Sequence, residues 1–209
     1  MSKKPKLVVV EDKENSQSDT QPDGRRQRSQ RSREKILRAY WELMLDGDMN
    51  PSAAAIAEHA GVGLRSVFRH FEDLDMLLRE LLALCYDEIT PEFMTPFKSS
   101  DWKKQLVEMV EHNVMFWERI RVPHTAGEIG RFKSQILMDD YKRSRNLEIS
   151  GIKAILPKDI DNYDKVLMAL DTSLSFSTMR RLREDRKLSI PKVKGVMTLM
   201  VQSIIDGID

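Results

Sequence analysis

Two stretches of the chain carry more charge and aromatic surface than a structural helix pair needs. In "LRSVFRHF", Leu64 to Phe71, a short helical pattern holds Arg65, Arg69 and His70 beside Ser66 and Phe68. Ahead of it, "RRQRSQRSR" carries Arg25, Arg26, Arg28, Arg31 and Arg33 with no acid among them. A flexible basic arm before a helix is one way to reach a phosphate backbone, and such runs are also often no more than solvated leaders. Any polyanion-binding surface has to be local, because 34 Lys+Arg stand against 33 Asp+Glu and the net charge is +1.

Other chemistries find little support. There is no Ser-His-Asp arrangement, phosphate loop or metal cluster, so neither an enzyme nor a resident cofactor is expected. His112 and His124 lie twelve residues apart with no carboxylate or cysteine at ligand spacing beside them, which argues against a metal. His59 falls at the exposed end of a short helix and is read as solvated. A single Cys85, between Leu84 and Tyr86, excludes a disulfide framework, reads as a buried thiol and suits a reducing compartment. The N-terminal apolar run covers only Leu7 to Val10, shorter than a secretory core, and no run approaches the ~20 residues of a membrane span. A cytoplasmic protein that meets no membrane is expected.

The elements that position the basic residues all read as helices. Residues 1–24 form a tail whose stretch from Glu11 to Gly24 has no apolar side chain, and disorder is expected there. A helix is predicted from Ser32 to Asp46, with Ile36, Leu37, Tyr40, Leu43 and Met44 on one face and Gly47 as its stop. Asn50-Pro51 reads as an N-cap and first position of an alanine-rich helix ending at His59 or Ala60. Gly61 supplies a left-handed turn, Val62 its apolar plug, and a third helix follows from Leu64 to Phe71. A longer helix begins near Leu74 behind Asp73. Beyond the two prolines of "TPEFMTPFKSS", helices are predicted over Asp101–Arg121, Glu128 to about Leu156 with a break near Gly151, Ile160–Asp185 and Pro191–Ile205. Nothing alternates convincingly over strand length, so the fold class is all-α.

Small Ala57, turn Gly61 and inward Ile56, Val62 and Val67 satisfy the close crossing of a helix-turn-helix, whose second helix presents its first residues to a major groove. The run "IAEHAGVGLRSVFRHFEDLDMLLREL", preceded by "REKILRAYWELMLDG", resembles the DNA-binding domain of the TetR family of bacterial transcriptional regulators over roughly residues 30 to 82. The remainder agrees only in being helical and of suitable length.

That resemblance implies a basic arm and DNA-binding domain over residues 25–82 and a larger helical ligand-binding and dimerisation domain over 83–209. It places Leu64, Arg65 and Ser66 at the base-reading start of the recognition helix, where the Arg65 fork suits guanine O6 and N7. Phe68 stands where the family usually has tyrosine and lacks its phosphate-binding hydroxyl, although its ring still suits a thymine methyl or a sugar. Arg69 and His70 fall at the phosphate-contacting end, and Ser52 opens the preceding helix, where a hydroxyl and free amides hold phosphate. Gly63 replaces a serine-like cap and Leu74 a lysine that commonly holds the backbone, a deficit that Arg31, Arg33 and the rest of the arm are expected to offset.

The family fold needs a pocket, and Met109, His112, Phe116, Trp117, Met138, Tyr141, Met168 and Phe176 are candidate linings for a small apolar or aromatic inducer. The same residues also read as ordinary core. Apolar stripes at Val166, Leu167, Leu170 and Leu174, and at Met197, Met200, Val201 and Ile204, suit either a four-helix homodimer interface built from the last two helices or a monomer core. "MRRLREDRKLS", Met179–Ser189, reads as a solvated helix end and loop. The expected function is a homodimeric DNA-binding regulator, most simply a repressor released by an inducer, that reads a palindromic duplex operator. The alternative is an all-helical interaction or ligand-binding protein with weak or no DNA binding, favoured by Leu74, Gly63 and the neutral net charge.

Overall fold

The protein is described by a computed structural model over residues 24–93 and 95–208, with the side chains of Arg25 and residues 88–93 outside that description. The tail expected over residues 1–24 therefore lies outside the described residues except for Gly24. Among the described residues, nine α-helices and one π-helical turn make up the ordered elements, with no strand. The chain divides into two compact units, one of residues 1–90 with 122–136 and the other of residues 91–121 with 137–209.

In the first unit, α1 (Gly24–Leu45) is eight residues longer at its start than the apolar pattern indicates. Its first turns are arginine, glutamine and serine, good to moderate helix formers that leave no amphipathic trace. The arm is thus helical from Gly24 onward, not the flexible leader expected. Ile36, Leu37, Ala39, Trp41 and Met44 bury the working face of α1. Gly47 ends it at φ 111, with the Asp48 amide returning to the Leu43 carbonyl.

Ser52, not Asn50, caps α2 (Ala53–Ala60), its hydroxyl accepting from the Ala55 amide at 3.2 Å. Such a cap stabilises by about 1 kcal/mol. Pro51 sits buried just before it. Gly61 adopts φ 65 and ψ 36, and the Val62 amide closes the turn on the Ala57 carbonyl at 3.0 Å. The next helix, α3 (Leu64–His70), is short, and α4 (Leu74–Phe93) follows with the Asp73 carboxylate accepting from the Met76 amide. Ile56, Ala57, Val67, Phe71, Leu77 and Leu81 close the core between these helices. Cys85 on α4 is half-buried, so the fully buried thiol reading is too strong.

The second unit holds most of α5 (Trp102–Gly130), α6 (Gln135–Ile155), α7 (Tyr163–Leu174), α8 (Phe176–Arg180) and α9 (Ile190–Asp206). Several boundaries differ from the sequence expectation. The helix expected to stop at Arg121 continues through Pro123 to Gly130, and the next begins at Gln135 in place of Glu128. It is not broken at Gly151, which remains helical and lies 3.9 Å from the Met109 methyl at its would-be Cβ. Finally, the single helix expected over Ile160–Asp185 is divided at Ser175.

Side-chain hydrogen bonds bridge that division. The Ser175 hydroxyl accepts from the Thr178 amide and donates to the Thr172 carbonyl, while Asn113 of α5 donates to the Leu174 carbonyl at 3.2 Å from a buried position. Around it pack Trp117, Phe176, Met179, Leu170, Met197 and Val201, the Trp117 and Phe176 rings meeting edge to face at 6.1 Å. Each such side chain contributes about 1.5–3 kcal/mol by leaving water. After α8 comes a π-helical turn, Arg181–Asp185. Arg183 fastens it, donating from Nε and Nη2 to both Glu118 oxygens at 2.9 and 2.6 Å and from Nη1 to the Leu188 carbonyl.

Candidate nucleic-acid interface

The turn at Gly61 is what aims α3. A left-handed residue followed by extended Gly63 at φ −71 and ψ 145 reverses the chain in three residues, so α2 and α3 pack through Ile56, Ala57 and Val67. Val67 is buried, which turns the opposite side of α3 outward. That side presents Leu64 at 46% and Phe68 at 50% exposure, flanked by exposed Arg65 and Arg69. Large apolar side chains half open to water beside two guanidinium groups give the helix both a methyl-reading and a hydrogen-bonding surface. Ser66 is half-buried, with its hydroxyl 3.5 Å from Arg69 Nη2.

No side chain caps α3, because Gly63 has none; a Cβ there would meet nothing within 4 Å. The Ser66 amide donates to the Gly63 carbonyl at 2.7 Å, which leaves the Leu64 and Arg65 amides without a side-chain cap; in α2 the Ser52 hydroxyl holds the Ala55 amide. The Ser52 hydroxyl accepts in that cap, so its own proton is the part left to donate to a phosphate. Leu74 is exposed at the head of α4 and offers no charge.

His70 ends α3 in a half-buried position, with its Nε2 enclosed and lacking a hydrogen-bond partner. Burial pushes its pKa below 6.5, and Arg69 and Arg33 push it the same way, so the ring is neutral near pH 7. Among the sequence candidates this leaves Arg65 and Arg69 as the charged, exposed groups of α3.

The arm divides into two kinds of arginine. Arg26, Arg28 and Arg31 are exposed on the first turns of α1. Arg33 is half-buried and engaged with Glu80 of α4, the His70 carbonyl and the Phe71 ring. Glu80 escaped the sequence reading because it stands 47 residues away and belongs to no local pattern. His59, expected to be solvated, lies 3.0 Å from Glu42 of α1.

The candidate inducer residues do not gather around one described cavity. Met109, Trp117 and Phe176 are core, and Phe116 packs against that core. His112 stacks on Phe97 at 5.4 Å. Met138 and Tyr141 are half-buried on α6, while Met168 is 48% exposed. An open groove instead follows α6 past Asp139, Lys142, Arg143, Asn146, Leu147 and Ser150, and none of the eight candidates lines it. Among the described residues, no three His, Cys, Asp or Glu side chains converge as metal ligands, and no helix is long and apolar enough to cross a membrane.

No family model matches the chain, and no curated protein matches it in sequence. Solved structures match it in fold. A transcriptional regulator from Rhodococcus sp. Rha1 superimposes with a TM-score of 0.68 at 15% identity, covering 85% of this chain and 98% of its own. A TetR transcription regulator from Haloarcula marismortui ATCC 43049 does so with a TM-score of 0.62 at 13% identity, covering 82% and 97%. The all-α fold is therefore the one found in these regulators.

Proposed function

We propose that the protein is a sequence-specific regulator of transcription that binds double-stranded DNA through α3. The observation that carries this reading is the outward face of α3, where Arg65 and Arg69 flank half-exposed Leu64 and Phe68 after a left-handed turn at Gly61. Arg65, in the first turn, reads a base edge; Arg69 and the amides opening α2 hold phosphates, with the Ser52 hydroxyl beside them. Leu64 and Phe68 cover thymine methyls or sugars. The neighbours that share the fold, one of them a TetR transcription regulator, support the same reading.

In its finer form the proposal is a cytoplasmic homodimeric repressor. One α3 presents a single half-site, so two copies are needed to read a palindrome across grooves about 34–36 Å apart. Release by an apolar or aromatic small molecule would act by shifting that spacing. Selection of binding sites from a random duplex library, with wild-type protein and Arg65→Ala at fixed salt, tests the reading. A palindrome recovered by the wild type, and read with a relaxed preference at one position of each half-site by the variant, supports it. The bidentate pairing that Arg65→Ala removes corresponds to about 1–3 kcal/mol of discrimination at that position. Equal, patternless binding by both proteins sinks it and leaves an interaction or ligand-binding protein.

A further inference from the structure

We infer that Arg33 is a positioning residue that locks the end of α3 in place, and that it does not touch DNA. The inference deepens the groove-reading proposal for α3 and rests on it. Arg33 lies on α1, yet three of its guanidinium N–H groups and one face are engaged by other elements. Nε donates to Glu80 Oε2 at 2.9 Å, Nη2 bonds the other oxygen of the same carboxylate, and Nη1 donates to the His70 carbonyl at 2.7 Å. The centre of the group lies 4.5 Å from the centre of the Phe71 ring, which is itself buried. Three of its five N–H donors are committed to a carboxylate and a carbonyl and one face to a ring, so the fork is not free to turn toward a phosphate.

The three partners define what Arg33 does. His70 is the last residue of α3 and Phe71 its C-cap, so Arg33 supplies a cation and a donor to the negative end of a helix with carbonyls to satisfy. Glu80 belongs to α4, which makes the guanidinium the junction of α1, α3 and α4. It grips α3 at the end opposite Leu64 and Arg65. Seven residues of helix are about 10 Å long, so loosening the last turn tilts the first one by a distance that matters for a hydrogen bond to a base edge. Lysine, a point charge with no plane, cannot engage a carboxylate, a carbonyl and a ring face together.

Glu80 makes the test discriminating, because the two roles give opposite signs. A DNA-contacting Arg33 would be competed for by the Glu80 carboxylate, so Glu80→Gln would free it and tighten DNA binding. A positioning Arg33 needs that carboxylate, so Glu80→Gln weakens binding even though a negative charge is removed. Dissociation constants are measured against the duplex selected by the wild type, over a range of salt, for wild type, Glu80→Gln, Arg33→Lys and Arg33→Ala, with thermal unfolding of each. Each variant should bind about tenfold more weakly, as side chains of one hydrogen-bonded network do. The salt slope should remain that of the wild type. Tighter binding by Glu80→Gln, or a slope reduced by about 0.9 per protomer in Arg33→Ala, assigns Arg33 to a phosphate and overturns the inference. Glu80→Gln, nearly isosteric, decides the matter if Arg33→Ala does not fold. A wild type that selects no duplex removes the groove-reading proposal itself, and the role of Arg33 in it.

Discussion

His70 shows how one side chain is given its charge state by its neighbours. Its Nε2 is enclosed, and Arg33 and Arg69 both oppose protonation, so folding lowers its pKa below 6.5. The unfolded chain then binds the proton more readily than the folded one, and stability falls as the pH is taken below 6.5 toward the folded value. Unfolding midpoints measured from pH 7.5 downward should decline over that window. His70→Gln should flatten the decline, and an unchanged profile would show that other groups set it. Gly63 is the opposite case, a residue with no side chain to contribute. A serine-like cap would add only a few tenths of a kcal/mol of stability, and the Ser66 amide it would reach already donates to the Gly63 carbonyl.

Within the elements, the first turns of α1 are the arm in its folded form. Arg26, Arg28 and Arg31 stand exposed on a helix whose first fully buried side chain is Ile36. The described side chains before Ser32 are all exposed, so removing them takes away charge without touching the core. The truncated protein should bind all duplexes more weakly, with a salt slope smaller by about 0.9 for each phosphate it no longer neutralises, and should melt as the full chain does. An unaltered slope would remove the arm from the interface. The end of α2 was legible because Gly61 is a local signal with one meaning, whereas Asn50-Pro51 placed its start two residues too early, ahead of the Ser52 cap. The start of α1 was not legible, since helix-forming polar residues leave no apolar period. Nor was the division at Ser175, which depends on a buried asparagine 61 residues away from the Leu174 carbonyl it satisfies. The same limit explains Arg33: a charge pattern shows where cations are, and only the fold shows that this one is already engaged.

For the whole molecule, the apolar stripes of α7 and α9 are mainly spent inside one chain. Leu167, Leu170, Leu174, Met197 and Val201 are buried in its own core. What remains outward is Met168 on α7 and Leu199 on α9, the latter 67% exposed. If two copies associate through these helices, Leu199→Glu should yield a monomer in sedimentation while its melting temperature is kept, and binding should fall on a palindrome far more than on a half-site. A variant that still sediments as a dimer would move the interface elsewhere. The chain has no spacer between its two units along α5, which runs from Trp102 to Gly130 while the division falls between Arg121 and Val122. Pro123, the second residue past the division, brings no amide proton to the ladder. The cooperative opening of a helix depends on that ladder being unbroken. Amides of α5 before Pro123 should then exchange with solvent at the rate of one unit and those after it at the rate of the other. A single exchange rate on both sides of Pro123 would show that α5 opens as one helix.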